Sequence, residues 1–441
     1  MSSPHPQPAS LARRSLDAVW HPCTQMARAE HLPPLAIARG NGPWLEDTAG
    51  QRYFDANSSW WVNLFGHSDA GVHNAIREQL GTLPHVMLAG CTHEPAVRLA
   101  ERLGARTGGA LGHAFFASDG ASAVEIALKQ SFHSWRNLGQ AQRREFVCLQ
   151  NGYHGETIGA LAVTDVAVFR DAYDPLLMRA HTVESPDERR GNEAAALAAM
   201  RALLAERAEH IAAVIVEPLV QGAAGMVMHG PGYLRGLRAL TREFGVHLIA
   251  DEIAVGCGRT GTFFAWEQTE PTGPADWPDF ILLSKGITAG TLPLSLVLSS
   301  EAVYRAFWSE DVGRGFLHSH SYTGNALACA AANAVLDRFD AGQAERVRVQ
   351  AACLATHCAP LATHPRVRHW RQRGLILAFD VAEAGAGFSE RFHLAARRHG
   401  LLIRPIGATV YLMPPYLIED ESAAFLARAV AAALDDVTAK D

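Results

Sequence analysis

The sequence predicts an α/β fold, with a large domain built on a mainly parallel sheet and a smaller α+β domain beside it. Two observations carry this expectation. Through the middle of the chain, short apolar runs alternate with amphipathic helical stretches, the pattern of strand–helix–strand units. The C-terminal part then changes character, with short strand-like runs and one long final helix. A chain of 441 residues is longer than one core usually serves. We therefore expect an N-terminal segment (1–70) belonging to the small domain, a large domain (71–335) and a C-terminal small domain (336–441).

Residues 1–14 read as a flexible, Pro-containing tail without the apolar run of a secretory signal. Trp44-Leu45 and Arg52–Asp55 then read as a hairpin. Trp60-Trp61 is expected in extended backbone, one ring toward the core and the other lining a pocket. Candidate strands follow at His113–Ala117, Phe146–Gln150, Ala212–Glu217, Val246–Ala250 and Phe280–Leu283. Between them, Gly120–Trp135 places Val124, Leu128 and Phe132 on one helical face, and Asn192–His210 is an Ala- and Leu-rich helix with Asn192 at its start. Leu375–Val381, Leu401–Arg404 and Val410–Met413 are the later strands, before a helix from about Asp420.

Composition excludes several function classes. The net charge of −6 offers no basic surface for nucleic acid or anionic lipid. The longest candidate for a membrane span, Ile281-Leu282-Leu283, is cut off by Ser284-Lys285, far short of what a span needs. Seven cysteines without a CxxC pair suit a reducing compartment, so a cytoplasmic protein is expected.

In open α/β sheets, ligands bind beyond the carboxyl ends of the strands. Val246–Ala250 runs into Asp251-Glu252, and Phe280–Leu283 into Ser284-Lys285, 34 residues later. That spacing allows one crossover, which sets both polar residues at the same sheet edge. A lysine there is able to condense with an aldehyde cofactor, and an aspartate is able to hold a pyridine nitrogen protonated. A surface lysine and a helix-capping aspartate fit the same spacing. Ala117–Ser122 follows a strand and opens a helix, as a phosphate cradle does and as a plain N-cap at Ser118 or Asp119 also does. Tyr153, after a third strand end, is placed to stack on a planar ring or to pack at the core edge. Arg404 closes an apolar run, where it is suited to clamp a carboxylate or to make a structural ion pair.

Other motifs carry less. Gly256–Gly261 matches G-x-G-x-x-G, but the acid downstream, Asp279, precedes an apolar run instead of following one, so an NAD oxidoreductase is not expected. His318-x-His320 and Cys91-x-His93 lack further ligands at metal-site spacing, so no metal is expected.

Together these residues resemble the class III aminotransferases of fold type I, which depend on pyridoxal 5'-phosphate (PLP). Leu248–Ile253, Gly258–Gly261 and Ser284–Gly286 are typical of that family. Four further stretches, Trp20–Met26, Ser58–Trp61, Arg404-Pro405 and Tyr411–Tyr416, are similar to its biotin-pathway branch. That branch passes the amino group of S-adenosylmethionine to 8-amino-7-oxononanoate. The resemblance implies that Lys285 links to the cofactor and shuttles the proton, Asp251 faces the ring nitrogen, Gly120 and Ala121 offer amides to the phosphate, and Tyr153 stacks near the ring. It further implies that His320 touches the cofactor and that Ser321 reaches a phosphate across the boundary of a homodimer. Cys23, Trp60, Tyr153, Ser319, Arg404 and Tyr411 would meet substrate. The chain departs from the family pattern at Cys23, where a tyrosine is common, at Ala121, where a serine is common, and at Ser319–Ser321, which replaces a Gly-Pro-Thr of some members. Rival readings are another class III enzyme acting on ω-amino acids or amines, the same reaction with lysine as donor, and a non-catalytic PLP-fold binding protein.

Overall fold

A computed structural model describes residues 9–29 and 32–438. Its central feature is a seven-stranded sheet in the order His113–Ala117, Ser295–Ser299, Phe280–Leu283, His247–Asp251, Ile211–Val216, Glu145–Leu149, Ala180–Val183. Every pairing is parallel except those of Ser295–Ser299, which runs antiparallel to both its neighbours. The inner strands Phe280–Leu283 and Ile211–Val216 are buried throughout, which is why they read as unbroken apolar runs.

Side-chain alternation divides those runs between two cores. Ile281, Leu283, Leu248, Ala250, Val214 and Val216 join the larger core, while Phe280, Leu282, Ile249, Ala213 and Ile215 face the other. The helix Gly120–Asn137 covers that second face, burying Val124, Ala127 and Leu128, with Phe132 partly buried beside them. Slipping any of these strands by one residue would exchange its two faces.

The remaining sheets join the ends of the chain. Ile37–Asn41, Trp44–Asp47 and Arg52–Asp55 form an antiparallel meander, to which Leu401–Leu402 adds in parallel, pairing Leu401 with Phe54. Val367–Arg373, Ile376–Val381 and Thr409–Leu412 form an antiparallel sheet nearby in sequence, and the helix Asp420–Thr438 ends the described chain. Among the described residues, no helix is long and apolar enough to cross a membrane.

Several expectations need correction. Residues 1–8 of the expected tail lie outside the described residues, but Leu11–Ala18 is a helix capped by the Ser10 side chain. Asn192 sits at its helix start without capping it; its amide instead joins Glu184, Ser185 and Asp187. Two strands of the seven-stranded sheet, Ala180–Val183 and Ser295–Ser299, were not anticipated. Trp60-Trp61 is not extended. Ser58, Ser59, Trp60 and Trp61 all have positive φ, between 47° and 72°, which makes one left-handed turn. Left-handed backbone costs about 1–2 kcal/mol per non-glycine residue, so the surroundings must hold this turn in place.

Candidate active site

The Asp251 and Lys285 strand ends lie side by side, with Asp251 paired to Leu282 across the parallel ladder. Asp251 is only 4% exposed. Its Oδ2 lies 2.7 Å from His154 Nδ1, and its Oδ1 accepts from the Ile253 amide at 3.1 Å. Lys285 follows the Ser284 bend in left-handed backbone, φ 46°, and its Nζ lies 4.5 Å from the centre of the Trp61 ring. Burial lowers the lysine pKa to about 8, against the opposing pull of Asp251 and Glu217. A lysine so placed has an appreciable neutral fraction near pH 7, the form that acts as nucleophile or base.

Glu217 ends the Ile211–Val216 strand on the same edge. Its two oxygens accept from the amides of Tyr153 and Gly222, each at 3.0 Å. Burial raises its pKa to about 7, with His154 pulling it down and Asp251 pushing it up. Neither Glu217 nor His154 was singled out from the sequence. The strand-end rule that marked Asp251 applies equally to Glu217, which directly follows the apolar run Ile211–Val216.

The helix Gly120–Asn137 opens beside this cluster. Asp119 caps it, accepting from the Ser122 amide through its side chain at 2.9 Å and from the Ala123 amide through its carbonyl at 3.1 Å. The amides of Gly120 and Ala121, ahead of the helical ladder, are left for an anion. Two close approaches bring the other loops onto this helix start. A Cβ on Gly120 would lie 3.1 Å from Ile253 Cγ2, and one on Gly155 would lie 2.6 Å from Ala121 Cβ. Gly155 is therefore required, since it also has φ 121°, while a side chain at Gly120 would press on Ile253. The structure thus satisfies both readings of this segment, a cap at Asp119 and an open pair of amides.

The left-handed turn forms the opposite wall. Asp55, 1% exposed, accepts from the Ser59 amide at 2.9 Å and the Ser59 hydroxyl at 2.7 Å, and contacts His67 Nε2 at 3.1 Å. Asn57 donates to the Tyr411 carbonyl and Ser58 to the Met413 carbonyl. At about 1 kcal/mol each, these bonds offset much of the strain. The turn buries Trp61 against Lys285 and leaves Trp60 52% exposed. Trp61 Nε1 donates to the Tyr411 hydroxyl at 3.0 Å. Burial pushes that phenol up to about 12, although Trp61 and Arg404 pull it down, so it stays protonated.

Cys23, Tyr153, Glu156 and Arg404 gather at one rim. The Tyr153 hydroxyl donates to Glu156 Oε1 at 2.9 Å, and burial with Glu156 beside it raises the phenol pKa. The Cys23 thiol is raised by partial burial and by Glu156, and lowered by Arg404. Arg404 is anchored through its amide, which donates to Asn57 Oδ1 at 2.7 Å. Its exposed guanidinium makes no ion pair among the described residues. Ser319 and Ser321 are exposed on a separate loop. There His85 Nε2 lies 2.9 Å from the Ser321 carbonyl, and His320 Nε2 lies 3.1 Å from His318 Nε2. The geometry of a single chain places no phosphate contact at Ser321.

The glycine-rich segment Gly256–Gly261 follows a strand but opens no helix; a turn and a short helical stretch at Ala265–Thr269 come next. Its Arg259, 1% exposed, donates to the carbonyls of Asn63 and Pro414 and so cross-links the two ends of the chain.

Comparisons with known proteins agree with this geometry. The profile of aminotransferase class-III matches residues 25–434. The adenosylmethionine-8-amino-7-oxononanoate aminotransferase of Helicobacter pylori is 41% identical over 93% of this chain and 94% of its own. The enzyme of the same name from Synechococcus elongatus is 39% identical over 95% and 99%. The crystal structure of the Methanocaldococcus jannaschii enzyme of that name superposes with a TM-score of 0.92 at 32% identity, covering 97% of this chain and 99% of that one. A PLP-bound amine transaminase from an uncultivated Pseudomonas species gives 0.89 at 32% identity, over 95% and 99%. With strand ends and profile in agreement, the chain belongs to the class III aminotransferases.

Proposed function

We propose that this chain uses PLP to transfer the amino group of S-adenosylmethionine to 8-amino-7-oxononanoate, giving 7,8-diaminononanoate for biotin synthesis. The observation that carries the reading is the half-buried Lys285 beside the buried Asp251 at adjacent strand ends, in a chain whose relatives are named for that reaction.

The residues fit the cofactor. The open amides of Gly120 and Ala121 stand at the start of an 18-residue helix, a place suited to a phosphate. Asp251 is fixed by His154, so its carboxylate is available to hold a proton on a pyridine nitrogen. Tyr153 lies on the loop packed against the helix start and is placed to cover the ring. PLP, when bound, supplies an electron sink for the carbanion formed at the amine-bearing carbon. Lys285 would hold the cofactor, and its amine, poised by burial, would move the proton at that carbon. Trp61 restricts the amine to one side, and Arg404 receives the acceptor's carboxylate through paired hydrogen bonds. Trp60, Tyr411, Cys23 and Ser319 line the substrate wall, Cys23 without the phenol that a tyrosine would add.

The same reading places the protein in the cytoplasm as a homodimer, with His320 and Ser321 serving the cofactor site, Ser321 that of the neighbouring copy. Exposed Met87, Trp308, Leu317 and Tyr322 support a partner covering the loops that carry them, since burying large apolar side chains is favourable. The experiment is a product assay by mass spectrometry with 8-amino-7-oxononanoate and each donor in turn. The reading requires 7,8-diaminononanoate with S-adenosylmethionine. Product with lysine alone, or turnover only of simple ω-amines, would replace the donor or the substrate class.

A further inference from the structure

Cys353 and His357 stand at i and i+4 on the helix Gln343–Cys358, hence on one face. Asp420, the first residue of the helix Asp420–Thr438, meets them there. Cys353 Sγ donates to Asp420 Oδ1 at 3.5 Å, and His357 Nε2 lies 3.1 Å from the same oxygen. One potential ligand atom from each residue falls within a 4.8 Å cluster. None of the three belongs to the active site described above.

We propose that these residues form a binding site for one zinc ion, which fastens the start of the C-terminal helix to its neighbour. Tetrahedral zinc with Zn–S of ~2.3 Å and Zn–N or Zn–O of ~2.0–2.1 Å spaces its ligand atoms ~3.3–3.6 Å apart. Two of the three separations already lie close to that range, and the third lies within 4.8 Å. The donor set is thiolate, imidazole and carboxylate, which suits zinc and not the all-oxygen preference of magnesium or calcium. The Asp420 side chain is 92% exposed, which leaves the fourth position to water. On binding, the Cys353 proton passes to solvent, the sulfur donates as thiolate, and His357 donates from Nε2 with its proton on Nδ1. The site escapes a sequence reading because Asp420 lies 63 residues beyond His357. The two pairs that do catch the eye are occupied otherwise: His318 contacts Lys129, and His93 contacts the Gly324 carbonyl.

The test uses untagged, PLP-loaded enzyme, freed of metal and titrated with Zn²⁺ against a chromophoric chelator, and with Co²⁺ by absorbance. One Zn²⁺ per chain and a near-ultraviolet cobalt–thiolate band are expected. Cys353→Ser should remove the band and weaken Zn²⁺ binding by more than about 100-fold, because losing a ligand exceeds the 10–100-fold cost of second-shell changes. His357→Ala should weaken binding similarly, with the transamination rate unchanged in both variants. Cys23→Ser should keep the band. Zn²⁺ affinity and cobalt spectrum unaltered by Cys353→Ser, or no such band in the parent, would overturn the proposal.

Discussion

At the scale of single residues, the central quantity is the proton on Lys285. Folding lowers its pKa from 10.5 to about 8, so between those values the unfolded chain binds more protons than the folded one. Unfolding free energy then rises with pH across that window. In cofactor-free protein, Lys285→Met removes this dependence. The stability of the parent relative to the variant should therefore be poorest below pH 8 and improve as pH approaches 10.5, as read from urea melts at several pH values. A difference that stays flat would mean that the amine is not desolvated. Arg404 makes a separate prediction. With no ion pair to lose among the described residues, Arg404→Ala should leave PLP affinity unchanged. The KM for 8-amino-7-oxononanoate should rise about 10- to 100-fold, the worth of charge-assisted bonds at ~1.5–3 kcal/mol. Equal loss of cofactor and acceptor affinity would indicate a structural role.

At the scale of elements, what the sequence disclosed followed from periodicity. Phe280–Leu283 and His113–Ala117 were legible to the residue, the first because an inner strand buried on both faces must be apolar without a break, the second as a short mainly apolar run ending at Ser118-Asp119. The Lys285–Asp251 edge followed from them, and so did the helix start at Gly120. The turn Ser58–Trp61 was not legible. Left-handed backbone usually announces itself through glycine or asparagine, and this segment has neither. It is held from outside, by Asp55, Met413 and Tyr411, residues mostly remote in sequence. Asp55→Ala should therefore leave the Ser59 and His67 donors without their acceptor and lower stability by about 1–3 kcal/mol. It should also disorder Trp61, which tryptophan fluorescence is able to report. Unchanged stability would mean that the turn needs no such anchor. Glu217 was missed for a different reason: a carboxylate after a strand reads as an ordinary polar boundary until its buried amide partners are seen.

At the scale of the whole molecule, the first and last parts of the chain meet. Leu401 pairs with Phe54, and Arg259 binds carbonyls at both Asn63 and Pro414. Local pattern carries no information on pairing at that sequence separation; the hairpin pattern at Trp44-Leu45 and Arg52–Asp55 suggested only that the N-terminal segment joins the small domain. The assignment of Ser321 to a neighbouring copy's site predicts complementation. Lys285→Ala and Ser321→Asp chains, each inactive alone, should regain about a quarter of the parental activity after mixed refolding, since half of the dimers then hold one intact site of two. No recovery would place Ser321 in its own chain's site or outside the site altogether.

The most direct test of the account is the visible spectrum of the purified, PLP-supplied protein, recorded before and after S-adenosylmethionine alone and again after 8-amino-7-oxononanoate. The account requires a yellow band that is lost with the donor, returns with the acceptor, and is missing its lysine-linked form in Lys285→Ala. A band that S-adenosylmethionine leaves unmoved would contradict the proposed donor, and a parent protein that takes up PLP without any lysine-linked band would contradict the role of Lys285.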